Sequence, residues 1–278
     1  MALDPLLLPF QFGFMQKAFF MGVIIAVPAA LLSCFLVVKG WALMGDAVSH
    51  AILPGVVLAY VLGAPLIIGA FVAGMVCALA TGYLTQNSRI KPDTVMGVVF
   101  SGMFGIGIVI YIAIDSALHL DHILFGNILG LGQDDMIMAL VISAVVSFGL
   151  MIKSKDLLLY SFDAIQARTA GLSVGLLHYG LLAAMTLTVI ATLSATGLIL
   201  AIGLMIAPGA IAFLLVRRFS VMMLVAVAVA VSAMGLGIYS SFFFDSAPAP
   251  TIVLVFSLMF IAAFIAKVFR QSRAETAS

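Results

Sequence analysis

Met44-Gly45-Asp46-Ala47-Val48-Ser49-His50-Ala51-Ile52-Leu53-Pro54-Gly55 is the stretch on which the reading of this chain turns. It opens an apolar run that continues to residue 62, and it sets a carboxylate and an imidazole four residues apart. On a helix, that spacing puts both groups on one face. An ionisable group at membrane depth costs roughly 2.5–3.5 kcal/mol even on the lenient insertion scales, so such pairs mark ion or substrate paths.

Working outward, nearly everything around the pair is membrane-like. Of 278 residues, 65% are hydrophobic and only 8% charged, whereas soluble domains carry about a quarter charged residues. Apolar runs lie near 18–38, 44–62, 65–85, 94–114, 135–152, 173–194, 197–216, 220–241 and 251–268. Each is close to the length of about 20 residues that crosses a hydrocarbon core. The expected fold is therefore all-α, a polytopic bundle of eight or nine transmembrane helices surrounded by lipid. Residues 1–278 form one transmembrane domain, with no room for an appended globular one. A net charge of +1 gives no reason to expect nucleic acid. Cys34 and Cys77 fall inside apolar runs, where small packed side chains are expected rather than a disulfide. No basic n-region or small-residue cleavage site stands at the N-terminus, so no removable signal peptide is expected.

Lysines and arginines gather at Arg89 and Lys91, at Lys153, Lys155 and Arg168, at Arg217 and Arg218, and at Lys267, Arg270 and Arg273. The positive-inside rule puts all of these in the cytoplasm, and even numbers of spans separate them. Counting back places Lys39 inside and the N-terminus outside, although Lys17 argues the other way. Two connections exceed simple turns. The outer one, 115–135, contains His119, Asp121 and His122. The inner one, 153–172, is expected to hold a short amphipathic helix capped by Ser161 or Asp163 and closed by Gly171. A helix lying along the membrane between two spans is placed to touch a partner.

Asp46 and His50 are the candidate metal ligands. Carboxylate and imidazole suit Mn(II), Fe(II) and Zn(II), and no thiolate stands near to favour Cu(I). Two ligands hold a transition metal poorly. Two copies of this helix facing a two-fold axis would supply His₂Asp₂, and symmetric dimers are the commonest assembly. A proton relay is the rival use of the same groups. Coordination needs neutral imidazole and ionised carboxylate, so metal uptake is expected to fall as pH drops through the histidine's titration. His119, Asp121 and His122 are either a solvated loop or an outer vestibule for a cation. His178, at the start of a span, reads as a snorkelled or capped histidine, and the 16 methionines as apolar filler. A faint echo relates Pro54-Gly55 to Pro208-Gly209, one pair in each half of the chain. Paired Pro/Gly interruptions point to a central site between repeats, but Leu200 and Leu204 replace Asp46 and His50 in the second copy.

No G-x-x-x-x-G-K-[ST] stretch occurs, so no phosphate-cradling loop is expected, and nothing argues for catalysis. Uphill transport would draw on an ion gradient or on a separate ATPase, and the inner helix favours the ATPase.

The segment from Lys39-Gly40-Trp41 through Asp46 and His50 to Pro54-Gly55 resembles the hallmark of the permeases of metal-uptake ABC transporters, the manganese/iron/zinc group. The resemblance runs over nearly the whole chain. His122-Ile-Leu-Phe125-Gly126-Asn127 looks like that family's outer segment, and Phe162-Asp163 to Gly171-Leu172 like its coupling segment. Ile206-Ala-Pro208-Gly209-Ala210 looks like its later proline-containing helix. Asp245-Ser-Ala-Pro248 is one residue longer than the family's usual Asp-x-Pro turn. The closest likeness is to the manganese and chelated-iron permeases. It implies a permease dimer of identical or paralogous subunits, cytoplasmic ATP-binding subunits, an external metal-binding protein and a bacterial cytoplasmic membrane. It also implies metal coordination by Asp46 and His50, with residues 153–172 coupling to the ATPase. The alternative is a gradient-driven carrier or channel that uses Asp46 as its proton or cation site. One tension stands: the apolar runs put Asp46 near the cytoplasmic end of its helix, whereas a transport site belongs near mid-membrane.

Overall fold

The computed structural model describes residues 5–114 and 132–275. Among them there is no strand, and 8 helices are long and apolar enough to cross a membrane. The outer candidates His119, Asp121 and His122 lie outside the described residues.

After a 3-10 turn (Pro5–Gln11), helix α1 (Gly13–Lys39) forms the central pillar. It ends where Gly40 takes the left-handed conformation (φ 74°) and its N–H returns to the Leu36 and Val37 carbonyls. The expected span 44–62 is two short helices, α2 (Met44–Ala51) and α3 (Leu53–Val61). Pro54 explains the break. It has no N–H for the carbonyl four residues back, and that carbonyl belongs to His50. Antiparallel to this pair runs α4 (Leu66–Asn87), then α5 (Pro92–Ala113). Here α3 and α4 meet backbone to backbone. A Cβ on Gly55 would collide with the Gly69 carbonyl, and one on Gly69 with the Gly55 carbonyl. Small residues allow that approach, which is how helices associate in lipid.

Helix α6 (Gln133–Ile152) leads to two short inner helices, α7 (Ser154–Phe162) and α8 (Ala164–Thr169). The expected cap is Asp163, whose carboxylate accepts from the Ile165 and Gln166 N–H groups at 2.8 and 3.1 Å. Ser161 instead lies within α7 and donates to the Leu157 carbonyl. Gly171, at φ 79°, closes the segment.

Helix α9 (Val174–Leu215) has 42 residues, about 63 Å of helix, twice the hydrocarbon thickness of about 30 Å. It is not one crossing. Gly197 (φ 78°, ψ 176°) breaks it at the first residue of the second of the two apolar runs. In the first half, His178 faces Gly82 near the inner end of α4, and Thr186 faces Gly74 farther out. In the second half the order reverses. Gly203 faces Val253, and Gly209 then packs on Ser33, close to the Lys39 end of α1. Both ends of α9 therefore sit on the side of Lys39, as the basic residues before Ser173 and after Leu215 require. Helices α10 (Phe219–Phe244) and α11 (Pro248–Glu275) complete the bundle. They are joined at Asp245, which adopts φ 47°, a left-handed conformation Asp tolerates better than most residues.

The echo between the halves holds in packing and not in helix breaks. Pro208 lies inside continuous helix, and the interruption of α9 falls at Gly197. Gly209 nevertheless matches Gly55 as a point of backbone contact. Its N–H donates to the Ser33 hydroxyl at 2.9 Å, and a Cβ there would stand 2.6 Å from the Ser33 carbonyl oxygen.

Candidate metal site

The depth of Asp46 and His50 can be read from their neighbours. Ala47 and Val48, between them, face Cys77 and Gly74, in the middle of α4. The His50 ring packs against Phe100 and Phe104, in the middle of α5. The pair thus stands level with the middle of α4 and α5, deeper in the bundle than the apolar runs suggest. The chain passes through Gly40–Leu43 first, and α2 packs inside the bundle, with Gly45 against Met205.

The two groups meet on one face of α2, as their spacing requires. His50 Nδ1 lies 3.1 Å from Asp46 Oδ1 and 3.0 Å from the Asp46 main-chain carbonyl. A carbonyl oxygen only accepts, so the bonded Nδ1 carries the proton, and Nε2 keeps a free lone pair. Asp46 therefore fixes the orientation of the imidazole, as a carboxylate does for a histidine ligand. From α5, Phe104 meets the ring edge-on at 5.4 Å and Phe100 tilted at 5.7 Å. These two aromatics were not among the residues singled out from sequence. Their spacing of four on one helix face was the available signal.

The side chains of His50 and Asp46 are 25% and 30% exposed in the isolated chain. Among the described residues, no group of three or more His, Cys, Asp or Glu is gathered to hold a metal. The pair has an open side. Ionised carboxylate against lipid is unfavourable, so that side calls for protein or water. His178 stands apart at the inner end, where its Nδ1 is 2.7 Å from the Tyr160 hydroxyl. Cys34 and Cys77 are buried and free, as expected.

The profile of the ABC 3 transport family matches residues 11–267. The chain belongs to that family. It is 52% identical over 257 residues to the chelated iron transport system membrane protein YfeD of Yersinia pestis, covering 92% of this chain and 86% of YfeD. To the manganese transport system membrane protein MntB of Synechocystis sp. it is 40% identical, covering 92% and 84%. Among solved structures, PsaBC from Streptococcus pneumoniae in complex with Fab superposes with a TM-score of 0.82 at 34% identity, covering 91% of this chain and 92% of that one. This ABC 3 family chain is thus a multi-pass membrane protein with a transporter-permease fold.

Proposed function

We propose that this chain is the transmembrane subunit of an ATP-driven importer that carries a divalent transition metal, manganese or ferrous iron, into the bacterial cytoplasm, with Asp46 and His50 as ligands in transit. The observation that carries this reading is the half-open pair level with the middle of α4 and α5. A second permease subunit, identical or paralogous, would close the open side and bring the ligand set to four. The relatives named for manganese and chelated iron support these metals. Zinc shares the same ligand preferences.

Residues 153–172 are the coupling segment in this reading. They lie at the inner end, outside the spans. There they present Phe162 and Ile165, 71% and 78% exposed, a pair of large apolar side chains suited to a protein partner. That partner is a cytoplasmic ATP-binding subunit, where hydrolysis takes place; this chain itself catalyses nothing. An external metal-binding protein delivers the ion to the outer mouth.

The test is uptake of radiolabelled Mn(II), with Fe(II) and Zn(II) as competitors, in uptake-deficient cells. The cells express this chain with its ATPase and binding protein, as wild type or Asp46→Asn. Uptake that needs the ATPase and collapses in the variant is the expected result. Uptake that persists without the ATPase would instead indicate a gradient-driven carrier. Equal uptake by Asp46→Asn would remove the site from α2.

A further inference from the structure

At the inner end of the bundle, Lys39, Trp41, Tyr160 and His178 form a junction that the metal site does not use. The Lys39 ammonium lies 3.6 Å from the centroid of the Tyr160 ring and 4.7 Å from that of Trp41. Lysines at span ends ordinarily snorkel to the headgroups. Lys39 instead lies across two aromatic faces, and among the described residues it makes no ion pair. Tyr160 is 4% exposed, and its hydroxyl meets His178 Nδ1 at 2.7 Å. Burial pushes the Tyr160 phenol up to about 12, so it stays protonated and can donate that bond. The His178 ring stands edge-on to Trp41 at 5.5 Å, and its Nε2 side faces Gly82. One cluster thereby joins α1, the turn after it, α4, α7 and α9.

Two short connections lead out of the cluster. On one side, Tyr160 is two residues from Phe162 in the same helix, next to the Asp163 cap of α8. On the other, the Trp41 carbonyl accepts the N–H of Met44 at 2.9 Å, and Met44 opens the helix that bears Asp46. We propose that this junction positions α2 for transport, with Lys39 and Tyr160 as positioning residues that pass displacement of α7 through Trp41 to the first turn bearing Asp46. The inference rests on the reading that residues 153–172 receive the ATPase. Its parts suit the task. Cation–π contacts and a single hydrogen bond are modest and directional, so they re-form readily in a second arrangement. Energetic coupling between sites travels through such contiguous contacts only if they have two arrangements.

The experiment measures ATP hydrolysed and Mn(II) transported in the same proteoliposomes, which contain the whole transporter and its binding protein. Tyr160→Leu is expected to raise the ATP consumed per ion about tenfold, while basal hydrolysis continues. Tyr160→Phe keeps the ring beneath Lys39 and loses only the hydroxyl, so its ratio rises about threefold. Lys39→Met combined with Tyr160→Leu should change the ratio no more than Tyr160→Leu alone. A purely structural role would lower hydrolysis and transport together and leave the ratio at the wild-type value, which would overturn the proposal. An additive double variant would also overturn it. If Tyr160→Leu fails to assemble, the ratio for Tyr160→Phe decides alone, an unchanged value refuting the junction. A cross-link between Ile165→Cys and the ATPase subunit separates the two readings. Its absence would remove the docking on which the inference rests. Its presence with unchanged ratios would remove only the junction.

Discussion

Two regions of this molecule carry the same Pro-Gly signature and put it to different uses. In α2 and α3, Pro54 breaks the helix at the His50 carbonyl, and the preceding turn presents Asp46 and His50 to an open face. In the second half of α9, Pro208 sits within unbroken helix, and Leu200 and Leu204 in the matching places are fully buried. The glycines behave alike, each removing a side chain where two backbones touch. The glycine thus specifies packing, whereas the proline breaks a helix only where the surroundings let it. The proposed transport site lies where a break coincides with ligand-type side chains.

The sharpest way to break this comparison is to exchange the chemistry of the two regions. Asp46→Asn or His50→Asn is expected to lower uptake by more than about 100-fold, beyond the 10- to 100-fold typical of changes one shell out from a metal. Leu200→Asn or Leu204→Asn buries an unpaired amide and should destabilise by about 1–3 kcal/mol. That loss would show in thermal unfolding of the detergent-solubilised protein, with uptake per assembled molecule preserved. If the Leu204 variant abolished transport as Asp46→Asn does, the second region would have to be counted as part of the ion path.

Next in size are the glycines, where both regions should respond in the same sense. Gly55→Val and Gly209→Val force side chains into the Gly69 and Ser33 backbones. Overpacking of this kind costs about 1–3 kcal/mol or more. Lowered melting temperatures in both variants would show that the shared signature is a packing rule. A drop in only one would confine the rule to that region.

Much of this was legible in the sequence because lipid imposes strong rules. Apolar runs of the right length and basic residues at alternating ends are nearly sufficient for a helical bundle. Gly197 is the first residue of the second of two adjacent apolar runs, so the division of the longest helix was visible too. Asp46 and His50 stood out because charged groups are rare in such a chain. Their depth was not legible, since hydropathy cannot tell a span that begins at the surface from one that begins inside the bundle. Only Cys77, Gly74, Phe100 and Phe104 show which it is. The place of His178 escaped for a related reason. A histidine at a span end looks like a snorkelled one until Tyr160, distant in sequence, is found bonded to it.

The prolines sharpen the contrast at smaller cost. Pro54→Ala restores an N–H to the His50 carbonyl and lets α2 continue into α3, turning the imidazole relative to its partner. Uptake is expected to fall about tenfold, in line with misplacement of a group that must be oriented. Pro208→Ala adds a donor to a helix that already runs unbroken. It should leave uptake within about twofold and raise the melting temperature slightly, because proline disfavours helix interiors. Equal effects at both positions would mean that the break at His50 is incidental to transport.

The smallest expected effect concerns the aromatic wall on α5. Phe104→Leu keeps an apolar side chain of similar reach but removes the ring that meets His50 edge-on. Such contacts contribute about 0.5–1.5 kcal/mol, so the concentration of Mn(II) giving half-maximal uptake should rise about two- to thirteenfold. The maximal rate should hardly change, because Asp46 and His50 remain in place. Phe100→Leu removes the tilted partner and is expected to do less. A fall in maximal rate at unchanged half-saturation would give the rings a different task. They would then gate the ion's passage beyond α2, and the difference between the two Pro-Gly regions would extend to the helix packed against the first of them.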